Sequence, residues 1–359
     1  MLRPTAQMLN LKKMEGHRWD LTALGEVMLR FDPGEDRIQT ARSFRVFEGG
    51  GEYNVARTLA HCFRKRTTVV TALADNPVGR LVEALISEGG VDTSNILWRD
   101  ADGISGNVRN GLNFVERGFG SRSPVGCSDR ANTAISRLGP HDIDWAAFFE
   151  SNSTRWFHTG GIFAALSDST ARIAADAMRA ARKIGAIVSY DLNYRESLWQ
   201  ERGGREAANT LNSALLDEAD VVFGIEGFDA RLDSFSALEF EAAAKAMLDR
   251  HSTLKVAATS LRDVIDASEH NVGGAIFANG VVSIARGFRG VKVLDRVGSG
   301  DAFASGIIYG ALEGLAPERS VEVAVANSVL AMASPGDAST ATVADIDRLI
   351  GIGSAEIKR

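Results

Sequence analysis

The chain of 359 residues carries 40 Lys and Arg against 46 Asp and Glu, a net charge of −6, and 45% of its residues are apolar. This composition is typical of a soluble globular protein and argues against a large nucleic-acid-binding surface. Two cysteines are too few for a disulfide scaffold and fit a reducing cytoplasm. No apolar stretch approaches the roughly 18 residues of a membrane span, and the start lacks a signal-peptide core. We therefore expect a cytoplasmic protein with no membrane partner and an N-terminal extension over residues 1–20.

From residue 21 onward, short apolar runs alternate with helical patterns. "LTALGEVMLRF" at 21–31 predicts a strand, and "EYNVARTLAHCF" at 52–63 predicts a helix. Further helices are predicted at 77–90 and at 168–185, the second with Ser167 as its cap. The runs "AIVSYDLN", "ADVVFG" and "TLKVAATS" predict buried strands. This alternation predicts an α/β fold: a mostly parallel sheet with helices on both faces.

Two polar, glycine-rich regions interrupt the alternation. Residues 27–48 and 103–130 show the alternating pattern of antiparallel strands and no helix. We expect them to form a small β-sheet inserted into a main domain that spans residues 21–350 and is followed by a tail at 351–359. Since an exposed sheet face is often covered by a partner, we also expect a homodimer through this sheet. Near the end, Asn279-Gly280 between two apolar runs predicts a hairpin.

The stretch "DRVGSGDAFASG" at 295–306 predicts a strand, a tight turn and a helix. Amide groups at a helix start are unpaired and attract anions. The pattern is neither a P-loop nor a dinucleotide fingerprint, because no Lys follows Gly300 and Phe303 stands where a glycine is needed. Two interpretations of Asp301 are open: it caps the helix, or it deprotonates a hydroxyl beside a phosphoryl group that the amides hold.

"DRVGSGDAF" resembles the C-terminal signature of the ribokinase-like (PfkB) carbohydrate kinases, and "GGGEYNVA" at 49–56 resembles their second signature. Within that family, "GEVMLRF", "DRANTAIS", "WFHTGGIFAALS" and "DLNYRESLW" look most like 2-keto-3-deoxygluconate kinases. The resemblance implies a three-layer α/β/α domain with a β-sheet lid. It also implies transfer of the γ-phosphoryl group of ATP to a hydroxyl of a sugar or sugar acid, with Mg²⁺.

The resemblance also implies roles for particular residues. Asp301 would be the catalytic base, and the amides of Gly298, Ser299, Gly300 and Asp301 would form the anion hole. The expected sugar-binding residues are Gly50, Gly51, Asn54, Asn113, Arg130 and Arg195, and either arginine could instead be a surface or ion-pair residue. The expected ATP-binding residues are Asn193, Thr259 and Asn327, the last of which could equally be a helix-surface residue.

Three stretches depart from the family pattern. Where N-x-x-E is common and helps to order Mg²⁺, this chain has Ile225 and Phe228, which leaves Glu226 as the candidate metal residue. Asn113 stands where the gluconate kinases tend to have a tyrosine, and "TSLRD" at 259–263 replaces a T-L-G pattern. The alternatives are therefore a fructokinase-like or other sugar kinase, or a sugar- or nucleotide-binding protein with impaired catalysis on the same scaffold.

Overall fold

The computed structural model describes residues 7–13 and 15–352. The strands in chain order are β1 (Trp19–Leu24), β2 (Met28–Asp32), β3 (Arg45–Gly49), β4 (Thr67–Ala74), β5 (Ile96–Arg99), β6 (Leu112–Glu116), β7 (Val125–Asp129), β8 (Thr154–Gly160), β9 (Ile187–Asp191), β10 (Val221–Phe223), β11 (Val256–Asp266), β12 (Glu269–Ala278), β13 (Val281–Ile284) and β14 (Phe288–Lys292). The helices are α1 (Gly51–Phe63), α2 (Pro77–Glu88), α3 (Trp145–Ser151), α4 (Gly161–Ala164), α5 (Asp168–Lys183), α6 (Glu196–Trp199), α7 (Gly204–Leu216), α8 (Ala237–Arg250), α9 (Ser299–Leu312), α10 (Pro317–Ala331) and α11 (Val343–Ile352).

Ten strands form the main sheet. Its order is β13-β12-β11-β10-β9-β8-β1-β4-β5, and β14 also pairs with β12. The pairs from β11 to β5 are parallel, whereas β12 pairs antiparallel with β11, β13 and β14. Every residue of β4 is buried, as expected for a parallel strand covered on both faces. The predicted mostly parallel sheet is confirmed, and so is the hairpin at Asn279-Gly280 between β12 and β13.

Helices cover both faces of this sheet. On one face α1, α9 and α10 pack in a core that includes Leu59 and Ile307, and on the other α5, α7 and α8 pack in a core that includes Ile173 and Phe240. The apolar residues of each helix recur at helical spacing, so one stripe of the helix meets the sheet. Ser167 accepts from the backbone amide of Thr170 at the start of α5, which confirms the predicted cap. The three-layer arrangement therefore follows the sequence pattern.

A second, four-stranded sheet with the order β3-β2-β6-β7 lies beside the main one. Its strands fall in the two regions predicted to form it, but β2 and β6 pair in parallel rather than antiparallel. The prediction of one strand over residues 21–31 is wrong, because β1 ends before Gly25 and β2 belongs to the small sheet. A side chain at Gly25 would lie 2.2 Å from the Glu52 carboxylate of α1, so the chain turns there with a residue that has none. A dimer through this sheet stays a prediction.

The ends of the chain are described in part. In the predicted extension, Met8 and Leu9 are buried against the main core, so this segment packs on the domain. Of the predicted tail, residues 351 and 352 end α11, and the remainder lies outside the described residues, as do residues 1–6 and 14. None of the helices in the described part of the chain has the length and apolar character to cross a bilayer.

Candidate active site

A cavity of about 620 Å³ opens between the two sheets. It lies at the carboxyl ends of the main-sheet strands, and it is lined by Glu26 after β1, Asp191 at the end of β9 and Gly224 after β10. The chain passes from β1 to β4 on one side, while β8 joins β1 on the other. Parallel α/β sheets bind their ligands at such a switch point, because diverging loops leave a crevice there. The volume is in the range of small-molecule sites.

The turn before α9 forms one wall of this cavity. Gly298 precedes the helix with a φ of 74°, a left-handed conformation that favours glycine. A side chain there would lie 1.7 Å from the carbonyl oxygen of Asp337, so the turn requires glycine for space as well. No side chain caps the helix, and a side chain added at Gly300 would meet nothing within 4 Å. The first amides of α9 therefore face open space in which an anion can bind.

Asp301 does not cap the helix. Its position is in the first turn, and its Oδ2 accepts a hydrogen bond of 2.7 Å from Nδ2 of Asn54 in α1. Burial raises the pKa of Asp301 to about 7; the Asn54 bond opposes that rise, and the nearby Asp191 carboxylate adds to it. A carboxyl group with a pKa near neutrality can accept a proton at physiological pH. The geometry thus favours the second interpretation of this residue over the capping interpretation.

Two more acids, the buried Glu52 and the partly buried Asp191, lie near Asp301. Burial raises the pKa of Glu52 to about 8, and the carboxylates of Asp301 and Asp191 raise it further against the effect of Arg130. Burial also raises the pKa of Asp191 to about 6, although its Oδ1 accepts a 3.0 Å bond from the Asn193 amide. Three acids close together cannot all ionise easily. The site therefore holds protons near pH 7, with Glu52 largely neutral.

The start of α1 forms the floor of the cavity near Asp301. A side chain at Gly50 would lie 1.8 Å from the carbonyl oxygen of Glu26, which explains the glycine at this close approach. The missing side chain of Gly51 faces Nδ2 of Asn193 and Oδ1 of Asp301, at 3.7 and 3.8 Å. The predicted glycines and amides of this region are thus brought together with the predicted base.

The small sheet forms the opposite wall and contributes Asn113 and Arg130. Oδ1 of Asn113 accepts a 3.0 Å bond from the Ser128 hydroxyl on β7, so this amide is held within the small sheet. Arg130 forms an ion pair with the buried Glu26, which leaves its charge balanced. The sequence left an ion-pair role open for this arginine, and the structure shows that pair.

Arg30 of β2 was not anticipated, although it is among the largest fully buried side chains. Its guanidinium bonds to Asp337 and, at 2.5 Å, to Asp295, and it lies 4.0 Å from Asp32. Asp295 precedes the α9 turn and Asp337 packs against Gly298, so ion pairs between side chains connect the small sheet to the turn. The signal in the sequence is a pair of charged residues, Arg30 and Asp32, in the largely buried strand "MLRFD".

Three more arginines line the cavity near the turn: Arg195, Arg262 and Arg296. Arg262 donates a 2.7 Å hydrogen bond from Nη2 to the Ser299 hydroxyl at the start of α9. Thr259, three residues earlier on β11, also lines the cavity and is buried. The sequence singled out Arg195 and Thr259, but not Arg262 or Arg296. Arg262 could have been found from its place just after "VAATS", where β11 passes the carboxyl ends of the neighbouring parallel strands.

Two predicted site residues lie elsewhere. Asn327 of α10 is fully buried and donates to the carbonyl oxygen of Ala302 and the hydroxyl of Ser305, so it braces α9 from behind. Glu226 is partly exposed outside the cavity, 3.9 Å from Arg250. Neither residue lines the cavity in this structure, and the adenine contact of the first and the metal contact of the second stay predictions.

The segment expected to order Mg²⁺ is apolar in its packing. Ile225 packs against one of the two apolar cores, and the ring of Phe228 lies edge-on to those of Phe235 and Phe240. Within residues 7–13 and 15–352, no group of three His, Cys, Asp or Glu side chains could hold a metal ion. Direct Mg²⁺ ligation needs oxygen donors, which this segment does not bring to the cavity. The segment at 225–228 therefore brings no protein ligand for Mg²⁺ to this cavity.

Known proteins are similar to this chain in sequence and in fold. A 2-dehydro-3-deoxygalactonokinase from Haloferax volcanii is 27% identical over 342 residues, which cover 95% of this chain and 99% of the relative. A 5-dehydro-2-deoxygluconokinase from Geobacillus thermodenitrificans is 27% identical over 326 residues and 88% of each chain. The crystal structure of a 2-dehydro-3-deoxygluconokinase from Thermotoga maritima superimposes with a TM-score of 0.82 at 31% identity, covering 92% of this chain and 98% of that one.

The family model of the pfkB family carbohydrate kinases matches residues 20–343, which include both quoted signatures and both sheets. The resemblance seen in the two motifs is confirmed by this match, and the fold is ribokinase-like. This chain belongs to the PfkB family and is a carbohydrate kinase.

Proposed function

We propose that this kinase transfers the γ-phosphoryl group of ATP to a hydroxyl group of a 2-dehydro-3-deoxy sugar acid or a close relative. The observation that carries the proposal is the pairing at the α9 turn: uncapped amides that face open space stand next to Asp301, which Asn54 orients toward the same cavity. Phosphoryl transfer needs both an anion site for the phosphoryl group and a carboxylate for the attacking hydroxyl.

In the proposed reaction the sugar hydroxyl lies against Asp301. As the hydroxyl oxygen forms its bond to the γ-phosphorus, Asp301 accepts the proton and the bond to the β-phosphate oxygen breaks, releasing ADP. The amides of Ser299, Gly300 and Asp301 donate to the equatorial oxygens of the transferred group. Because Asp301 engages the hydroxyl and the amides engage the phosphoryl group, the negative charge of the carboxylate does not exclude the anion.

The remaining predicted residues divide between the two ends of the cavity. Gly50, Gly51 and Asn54 surround Asp301 and would contact sugar hydroxyls, with Asn113 on the small sheet facing them. Arg130 is already paired with Glu26, so Arg195 is the better candidate for a substrate carboxylate. The names of the relatives support a sugar acid, since each of those kinases is named for one.

The family and the anion site support ATP as the phosphoryl donor. Asn193 and Thr259 line the same cavity and would contact the ATP. A structural relative, a putative ribokinase II from E. coli, was solved in complex with ATP and Mg²⁺. Mg²⁺ stays a prediction as the partner of ATP.

Asp301→Asn tests the proposal directly. The amide keeps the oxygen that accepts from Asn54 but cannot take a proton, so kcat should fall about 10²- to 10⁴-fold while ATP affinity stays near that of the wild type. ADP release is measured across a panel of 2-dehydro-3-deoxygluconate, 2-dehydro-3-deoxygalactonate, fructose and a nucleoside. Unchanged turnover in the variant would overturn the role of Asp301. Nucleotide binding by the wild type without ADP release from any sugar would favour a binding protein instead.

A further inference from the structure

The arginines that line the cavity fall into two groups of three. Those nearest the small sheet each have a carboxylate: Arg30 pairs with Asp295 and Asp337, Arg117 with Asp32, and Arg130 with Glu26. In the described part of the chain, none of the other three, Arg195, Arg262 and Arg296, has a guanidinium nitrogen within 4 Å of a carboxylate oxygen. Arg195 is near enough to Asp191 and Asp301 to lower the pKa of both carboxyls, so among the described cavity residues the unbalanced positive charge is that of Arg262 and Arg296.

Arg262 is the most enclosed of these three. It lies on β11, and its side chain is partly buried, whereas Arg195 and Arg296 are exposed at the cavity rim. Its Nη2 donates to the hydroxyl of Ser299, the first residue of α9, so the guanidinium lies against the uncapped amides. Ser299 in turn donates to the carbonyl oxygen of Arg296. A serine hydroxyl carries no charge, so this contact orients Arg262 without neutralising it.

The local charges repel one another in the free protein. Burial lowers the pKa of Arg262, and the like charges of Arg296 and Arg195 lower it further. Burial also lowers the pKa of His270 to about 4, with added effects from Arg262 and Arg296, so this histidine stays neutral. Enclosing a cation among cations costs free energy unless an anion compensates it. Such an arrangement is typical of a binding site rather than of a structural ion pair.

We propose that Arg262, assisted by Arg296, binds the polyphosphate of the nucleotide at the start of α9. This inference rests on the proposed function for the identity of the nucleotide. A planar guanidinium can donate two parallel hydrogen bonds to phosphate oxygens, and the helix amides supply further donors. Residues 225–228 contribute no acidic ligands for a metal to this cavity. The arginine, by contrast, brings a fixed positive charge to it. Arg262 thus supplies from the protein part of the charge that neutralises the phosphates.

Equilibrium binding of inorganic tripolyphosphate, ATP, ADP and adenosine tests the proposal without requiring turnover. Arg262→Met should weaken tripolyphosphate, ATP and ADP binding about tenfold to a hundredfold and leave adenosine unchanged, because only the phosphates lose a charged donor. Arg262→Lys should recover part of the loss. Arg231→Met is the matched control: it removes the same charge near β11, but from an exposed residue that lies 3.5 Å from Asp263 outside the cavity. Equal affinities in wild type and Arg262→Met would overturn the proposal.

Thermal unfolding gives a second readout that separates this role from a structural one. Without ligand, Arg262→Met should melt at the wild-type temperature or above, since it removes an unbalanced buried charge. With tripolyphosphate, the wild type and Arg231→Met should rise in Tm and Arg262→Met should rise less. A lower Tm for ligand-free Arg262→Met than for the wild type would contradict the proposal.

The outcomes also separate this inference from the proposed function. If no sugar yields ADP but tripolyphosphate binding depends on Arg262, the anion site stands and the kinase assignment to a sugar acid fails. If ADP is released normally and only the KM for the sugar acid changes in Arg262→Met, the residue binds the acceptor carboxylate and the inference fails.

Discussion

Arg30 and Arg262 both contact the turn before α9, but their charges are treated differently: that of Arg30 is neutralised by carboxylates and that of Arg262 is not. Arg30 reaches the turn from the small sheet and is fully buried among Asp295, Asp337 and Asp32. Arg262 reaches it from the main sheet and meets a hydroxyl group and two other arginines. The first site is complete within the chain, whereas the second is completed only by an anion.

The turn before α9 is held rigidly on one side and presents unsatisfied polar groups on the other. The carboxylates that hold Arg30 belong to residues flanking Gly298, so the backbone of the turn is fixed from behind. On the open side, Asp301 has one hydrogen bond and raised pKa, and the α9 amides have no cap. Stability is therefore concentrated on the closed side, and unsatisfied groups face the cavity, where a substrate can satisfy them.

The largest effect is expected on the closed side, from Arg30→Met. It leaves two or more buried carboxylates without their cation, so the free energy of unfolding should fall by about 3–5 kcal/mol, measured by urea denaturation. The matched control is Arg109→Met, also near the small sheet, because Arg109 pairs with Asp129 of β7, which is 51% exposed, and should contribute less than about 1 kcal/mol. Similar losses in the two variants would show that the Arg30 cluster does not hold the turn.

A smaller effect is expected on the open side, from the pH dependence of kcat/KM. The base must be ionised, so kcat/KM should rise with pH through about 7, the raised pKa of Asp301. Asn54→Leu removes the hydrogen bond that favours the ionised form, so this rise should move to higher pH. The same raised pKa lowers stability as pH increases from about 4 to 7, because the folded state then binds more protons than the unfolded state.

Asn113→Leu is the matched control for that shift. Both residues are amides that line the cavity, but Asn113 bonds to Ser128 and not to Asp301. Its replacement should weaken sugar binding and leave the pH of the rise unchanged. A rise at the same pH in Asn54→Leu and wild type would assign the titration to another group.

Much of this molecule could be predicted from local patterns. Alternating apolar runs predicted the parallel sheet, and the turn "GSGD" predicted an anion site, since both depend on residues adjacent in sequence. The Arg30 cluster could not be predicted, because its partners lie more than 250 positions away and meet only when the small sheet folds back. The positions of Asn327 and Glu226 outside the cavity could not be predicted for a related reason: a polar residue near a motif gives no sign of which way its helix or loop faces.

The smallest effect is expected from Glu226→Gln, and it decides where the phosphate charge is neutralised. If Arg262 and its neighbours supply that charge, a residue outside the cavity and 3.9 Å from Arg250 should not matter. Its kcat, KM for ATP and Mg²⁺ dependence should match the wild type, and stability should change by less than about 1 kcal/mol because the pair is exposed. A higher Mg²⁺ requirement in this variant would mean that the segment at 225–228 moves to recruit the metal. Neutralisation of the phosphate charge on the open side of the turn would then depend on a bound ion as well as on arginines. The open side would differ less from the closed side, where the charges are balanced within the chain.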